Sequence, residues 1–153
     1  DAFIAAEKKA GQMELIMEKL YQQSTSFRDA DYELLYSTVR YKIKQRSVLM
    51  LFANFETMAG LERQLPYLVS LNTHHLLFVV LFKNTELNQL LDAKAHTTED
   101  IYIQTIAEKM IFEKKQMIKA LHQRGISAML TTPQELTVNA VNKYLEIKTR
   151  QMV

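Results

Sequence analysis

The sequence predicts an α/β fold in which a parallel β-sheet is flanked by helices. Two observations carry this. Three short runs, residues 47–54 (SVLMLFAN), 75–83 (HLLFVVLFK) and 126–131 (ISAMLT), are apolar almost throughout. Strands covered on both faces read this way, whereas half-exposed antiparallel strands alternate. Each run is followed by a segment with helical periodicity, the order that produces parallel strands joined by crossover helices.

The elements follow from their patterns. Residues 2–6 (AFIAA) form a weak extra strand candidate. Met13, Ile16, Met17 and Leu20 fall on one helical face, and Tyr32, Leu35, Tyr36, Val39 and Ile43 on another. Ser26 and Asp29 stand in capping-box spacing before the second of these. After the first strand, Leu61, Leu65, Leu68 and Asn72 mark a helix expected to kink or restart at Pro66. A short helix is predicted over 86–91, then a polar loop to 96. A long helix follows over 98–124, with Ile103, Ile106, Met110, Met117 and Leu121 facing inward. Thr97 and Asp100 suit its start, and Gly125 its left-handed end. The last helix opens on Thr132, Pro133 and Glu135, an N-cap, a first-turn proline and a capping-box acid; Val138, Val141, Leu145 and Lys148 then share one side.

Composition narrows the function. The chain is 48% hydrophobic and 24% charged, values of a folded domain. Its 153 residues fit a single domain. A net charge of +2 gives no electrostatic reason to expect nucleic acid. The absence of cysteine removes disulfides, thiolate metal sites and thiol nucleophiles together. The longest apolar run, 76–82, is too short for a membrane helix. Because the chain starts at Asp1, it reads as a processed piece of something longer.

Ligands of open α/β sheets bind beyond the carboxyl ends of the strands. Those ends carry Asn54, Glu56 and Thr57, then Asn84 and Glu86, then Thr131 and Thr132. With only three glycines in the chain, neither a dinucleotide fingerprint nor a P-loop can be written. Asn54, Glu56 and Glu86 suit a hard cation or acid–base chemistry, but Asn54 and Thr57 are better read as making turn and cap hydrogen bonds into the next helix. His74 and His75, read as neighbours on a strand, would point to opposite faces and not share one ion; His96 and His122 stand alone. The basic groups, Lys42, Lys44 and Arg46, then Lys114, Lys115, Lys119 and Arg124, then Lys143, Lys148 and Arg150, lie late in helices, where cations complement the dipole and stay solvated.

The run LYQQSTSFRDADYELLYSTVRYKIKQRSVLMLFANFE (20–56), the strand motif RSVLMLF and the ending TTPQELTVNAVNKYLE resemble the bacterial family catalogued as domain of unknown function fifty-eight. So do Arg28, Asp29, Asp31, Tyr32, Glu33, Leu35 and Tyr36. The likeness covers nearly the whole chain and is closest to versions from Bacteroidetes-like bacteria. It implies a Rossmann-like, von Willebrand factor A-like sheet of strand order 3-2-1-4-5-6, of which this chain holds the last three strands, with 2–6 a remnant of the third. It implies that the metal-ion-dependent adhesion site is vestigial. Thr25 would be the loop threonine and Asn54 would replace the strand-end aspartate, while the DxSxS motif is missing. No cofactor is therefore expected here, and magnesium only in a full-length domain carrying DxSxS. Members often have membrane helices upstream and are encoded beside MoxR-type AAA ATPases. That implies a soluble, cytoplasm-facing domain of a membrane-anchored protein that binds the ATPase or its client through Thr25, Ser26, Asp29, Asn54, Glu56 and Thr57, and is not an enzyme. The alternative is a small-ligand-binding or hydrolytic domain in which Glu56, Glu86 and a strand-end threonine converge. The free edge of strand 47–54 also predicts a homodimer.

Overall fold

A computed structural model describes residues 3–5, 10–24, 30–92 and 97–149. The chain divides into two compact units, Asp1–Ala30 and Asp31–Val153. In the first, helix α1 spans Gln12–Tyr21 and starts at Gly11, whose φ of 91° is the left-handed conformation glycine tolerates best. None of its residues is buried, and Met13, Met17 and Leu20 are exposed. Residues 3–5 form no strand, so among the described residues the expected strand over 2–6 is not found. Gln12 instead donates its side-chain amide to the Ala5 carbonyl at 2.9 Å.

The second unit opens with α2 (Tyr32–Lys42), β1 (Val48–Ala53), α3 (Met58–His74) and β2 (Leu76–Phe82). It continues through α4 (Thr85–Asp92), α5 (Thr98–Gln123), β3 (Ser127–Thr131) and α6 (Leu136–Thr149). The sheet order is β1-β2-β3, every pair parallel, with Val48 opposite Leu76 and Phe78 opposite Ser127. This is the predicted Rossmann-like α/β class, a three-stranded parallel sheet flanked by helices.

Side-chain alternation divides the sheet into two faces. Leu77, Val79 and Leu81 of β2, with Leu49 and Leu51 of β1, pack into one core with Leu61, Leu65 and Leu68 of α3 and Met117 and Leu121 of α5. The α2 stripe of Tyr32, Leu35, Tyr36 and Val39 packs against the same core, as its period predicts. Phe78 and Val80 point the other way and are equally buried. Asn139 of α6 donates to the Thr131 hydroxyl on that second face at 2.9 Å. β1 is less well covered there, and Phe52 is 51% exposed.

Several boundaries differ from the sequence reading. The N-cap of α2 is Asp31, whose carboxylate accepts the Leu34 N–H at 2.8 Å. Ser26 and Asp29, expected in that role, lie outside the described residues. Helix α3 is continuous through Pro66. The proline sits on the exposed side, where the carbonyl its missing N–H leaves free is open to solvent, while buried Leu61, Leu65, Leu68 and Leu71 hold the flanking turns. On α5, Met117 and Leu121 are buried with Ala107, but Ile103, Ile106 and Met110 are exposed. On α6 the inward side is Leu136, Asn139, Ala140, Lys143 and Ile147, and the predicted stripe of Val138, Val141 and Leu145 faces out. Both helices carry two apolar sides, and periodicity alone does not say which one the sheet takes.

The predicted cap of α5 is present; the predicted Thr132–Glu135 bonds also form, but they close a turn over 133–135, and α6 begins at Leu136 and not at Pro133. Thr97 and Asp100 form a reciprocal capping box. The Thr132 hydroxyl accepts the Glu135 N–H and donates to its carboxylate. At the end of α5, Gly125 takes φ 73° and Ile126 N–H returns to the Leu121 carbonyl, closing the turn into β3. Asn72, predicted as part of the α3 stripe, ties that turn to the sheet. Its amide donates to the Gly125 carbonyl and its oxygen accepts the Leu77 N–H, each at 3.1 Å.

Candidate functional site

All three strands run the same way, so their carboxyl ends, Ala53, Phe82 and Thr131, open on one edge of the sheet. A cleft of about 520 Å³ lies there. Its polar lining is Asn54 and Glu56 after β1, Lys83 and Asn84 after β2, and Lys114 and Lys115 on α5. Phe82, Leu87, Met110, Ile111 and Leu130 supply its apolar walls.

Lys114 organises this end of the sheet. Its ammonium donates to Asn54 Oδ1 at 2.6 Å and to the Phe55 carbonyl, so α5 clamps the chain as it leaves β1. Burial pushes its pKa below the ordinary lysine value, partly opposed by the Glu56 carboxylate. The sequence reading, which left this lysine solvated, is corrected. Its position four residues after Met110 and three before Met117 turns it toward the strand ends. A lysine at helical spacing from two methionines, Met117 buried and Met110 on the cleft wall, was the available signal.

Asn54 is thus a hydrogen-bond acceptor for a cation and not the turn-forming residue expected. Thr57 does cap, accepting the Gly60 N–H at 3.1 Å to start α3. Asn84 accepts the Glu86 N–H at 3.0 Å where α4 begins. Glu86 does not line the cleft. Thr131 is fully buried, donating to the Thr132 carbonyl and accepting from Asn139. Glu56, Glu86 and a strand-end threonine are therefore not brought together, and Glu56 alone of the three reaches the cleft. Thr25, Ser26 and Asp29 lie outside the described residues.

The residues around Asn54 do not fit a magnesium ion. The oxygen that would ligate it already holds an ammonium, and like charges about 4 Å apart near a protein surface repel by about 4 kcal/mol per unit charge. Among the described residues no three His, Asp or Glu side chains gather as metal ligands. The histidines do other work. His74 ends α3 and bonds the Ser70 carbonyl, while His75 is the helix C-cap and not a strand residue as read from sequence. His122 lies 3.0 Å from the Ala128 carbonyl and 3.3 Å from its N–H, through Nε2. His96 lies outside the described residues.

No helix among the described residues is long and apolar enough to cross a membrane. Compared with protein-family models, curated proteins and solved structures, the chain matches none.

Proposed function

We propose that the chain is a non-catalytic protein-interaction module that presents the carboxyl end of its sheet to a partner. One observation carries this reading. The most buried charged group at that end, Lys114, is engaged in fixing Asn54 and Phe55, which holds the chain leaving β1 in place with Glu56 and Thr57 beside it. Ligand sites of parallel sheets occur at such ends, and preorganised loops lose little freedom on binding. The sequence resemblance names the partner class, a MoxR-type AAA ATPase or its client, and a membrane-anchored bacterial parent protein. A purified ATPase of that class from the same organism should bind saturably in calorimetry. Asn54→Ala with Glu56→Lys should weaken that binding about tenfold or more, as loss of central contacts does. Unchanged affinity in the double variant defeats the assignment of the surface. Magnesium titrated alone should give no saturable heat, and tight binding dependent on Asn54 would reverse the reading of that residue.

A second reading, small-ligand binding, is favoured by the cleft itself. Its volume of about 520 Å³ and its apolar walls with a few polar groups match the usual character of ligand pockets.

A further inference from the structure

The cleft has a chemical polarity of its own. Three lysines, Lys83, Lys114 and Lys115, face a single carboxylate, Glu56, so the polar rim carries a positive excess. The oxygens that hold Lys114 are both neutral, Asn54 Oδ1 and the Phe55 carbonyl. They carry no charge, so Glu56 alone in the lining offsets the ammonium, and one of its three hydrogens is unassigned. Beneath the rim, Phe82, Leu87, Met110, Ile111 and Leu130 form a continuous apolar lining drawn from β2, β3, α4 and α5.

We propose that this cleft binds a small monocarboxylate with an apolar tail, the carboxylate lying among Lys83, Lys114 and Lys115 and the tail against Leu87, Met110 and Ile111. The inference rests on the small-ligand reading and names the class of ligand. A carboxylate suits the site better than a phosphate. Lysine binds phosphate and carboxylate alike as a point charge, but the lining has neither the glycine-rich backbone cradle nor the arginine fork that would grip a phosphate's further oxygens. An ammonium is a point charge that accepts a carboxylate from many directions. The apolar walls favour an occupant with an apolar part, because their burial is gained only when something apolar replaces water.

The test uses the ¹⁵N-labelled chain titrated with hexanoate, hexan-1-ol or hexylammonium, followed by amide shifts. Hexanoate should shift Asn84, Leu87, Ile111 and Lys115 along one saturable curve, with hexylammonium at least about tenfold weaker, the factor expected of a charged hydrogen bond. Lys83→Ala with Lys115→Ala, both at exposed positions, should weaken hexanoate by a similar factor while leaving hexanol unchanged. Leu87→Trp should abolish both by filling the apolar half. Should hexylammonium or hexanol bind these residues as well as hexanoate does, the carboxylate assignment fails and the small-ligand reading stands. If none of the three probes shifts the cleft residues, both fall.

Discussion

His75 is buried to 4% exposure and its Nδ1 has no hydrogen-bond partner among the described residues. Burial disfavours the imidazolium, and His74 and Arg40 add like charge, so its pKa lies below the ordinary 6.5. As pH falls through that range the unfolded chain binds the proton first. Stability is therefore full above the ordinary histidine value and declines as pH drops toward the lower folded-state value. Urea midpoints at about pH 7.5 and about pH 5.5 should show the loss, and His75→Phe should flatten it. An equal slope in that variant would place the effect elsewhere. At Lys114 the expected cost has another origin. Lys114→Met strips a donor from Asn54 and Phe55, and because the cleft admits water the loss should be about 1 kcal/mol, at the low end for a broken hydrogen bond. Of the candidate site, the sequence made Asn54 and Glu56 visible because strand ends are marked by their turn residues. Lys114 was missed, since its spacing sets it beside apolar residues but its role depends on where one turn of a 26-residue helix meets the chain 60 residues away.

At the scale of elements, the strands were legible because β2 is covered on both faces and its burial leaves no alternation to misread. The α5 cap and the Thr132 turn were legible because Thr97, Asp100 and Thr132 act within their own turn of chain. Helix faces were not, wherever a helix is apolar on two sides. The contrast predicts opposite outcomes. Leu121→Ala, at a fully buried position of α5, should cost about 2–5 kcal/mol by cavity formation. Val138→Glu, 63% exposed on α6, should change stability by no more than about 0.5 kcal/mol despite its place in an apolar stripe. Thermal denaturation of the two variants beside the parent chain checks both, and a large loss for Val138→Glu would show that the outward side of α6 is covered in solution.

For the molecule as a whole, the sheet has two edge strands that differ. The Leu76 N–H donates to the Ser47 carbonyl, so the backbone groups of Val48, Met50 and Phe52 alternate away from β2. No strand pairs with that side of β1 among the described residues. We propose that a second copy does so in solution. Light scattering should then report twice the chain mass, and Met50→Pro, which removes an outward donor but no ladder bond, should return the monomer. A monomeric parent chain would end the idea. β3 is different. Because the Lys83 N–H donates to the Thr131 carbonyl, Ala128 presents its backbone outward, and there the His122 ring engages it in either tautomer.

That ring has a consequence for how copies could add to one another. A sheet open at both sides can recruit chain after chain and grow without limit, as fibrils do. If copies pair through β1 as proposed, the His122 ring on the Ala128 backbone would oppose the same pairing at β3, and such a pair would be related by a two-fold axis. On that proposal, His122→Ala should let scattering report species larger than a pair, and an unchanged mass would remove the ring from the account.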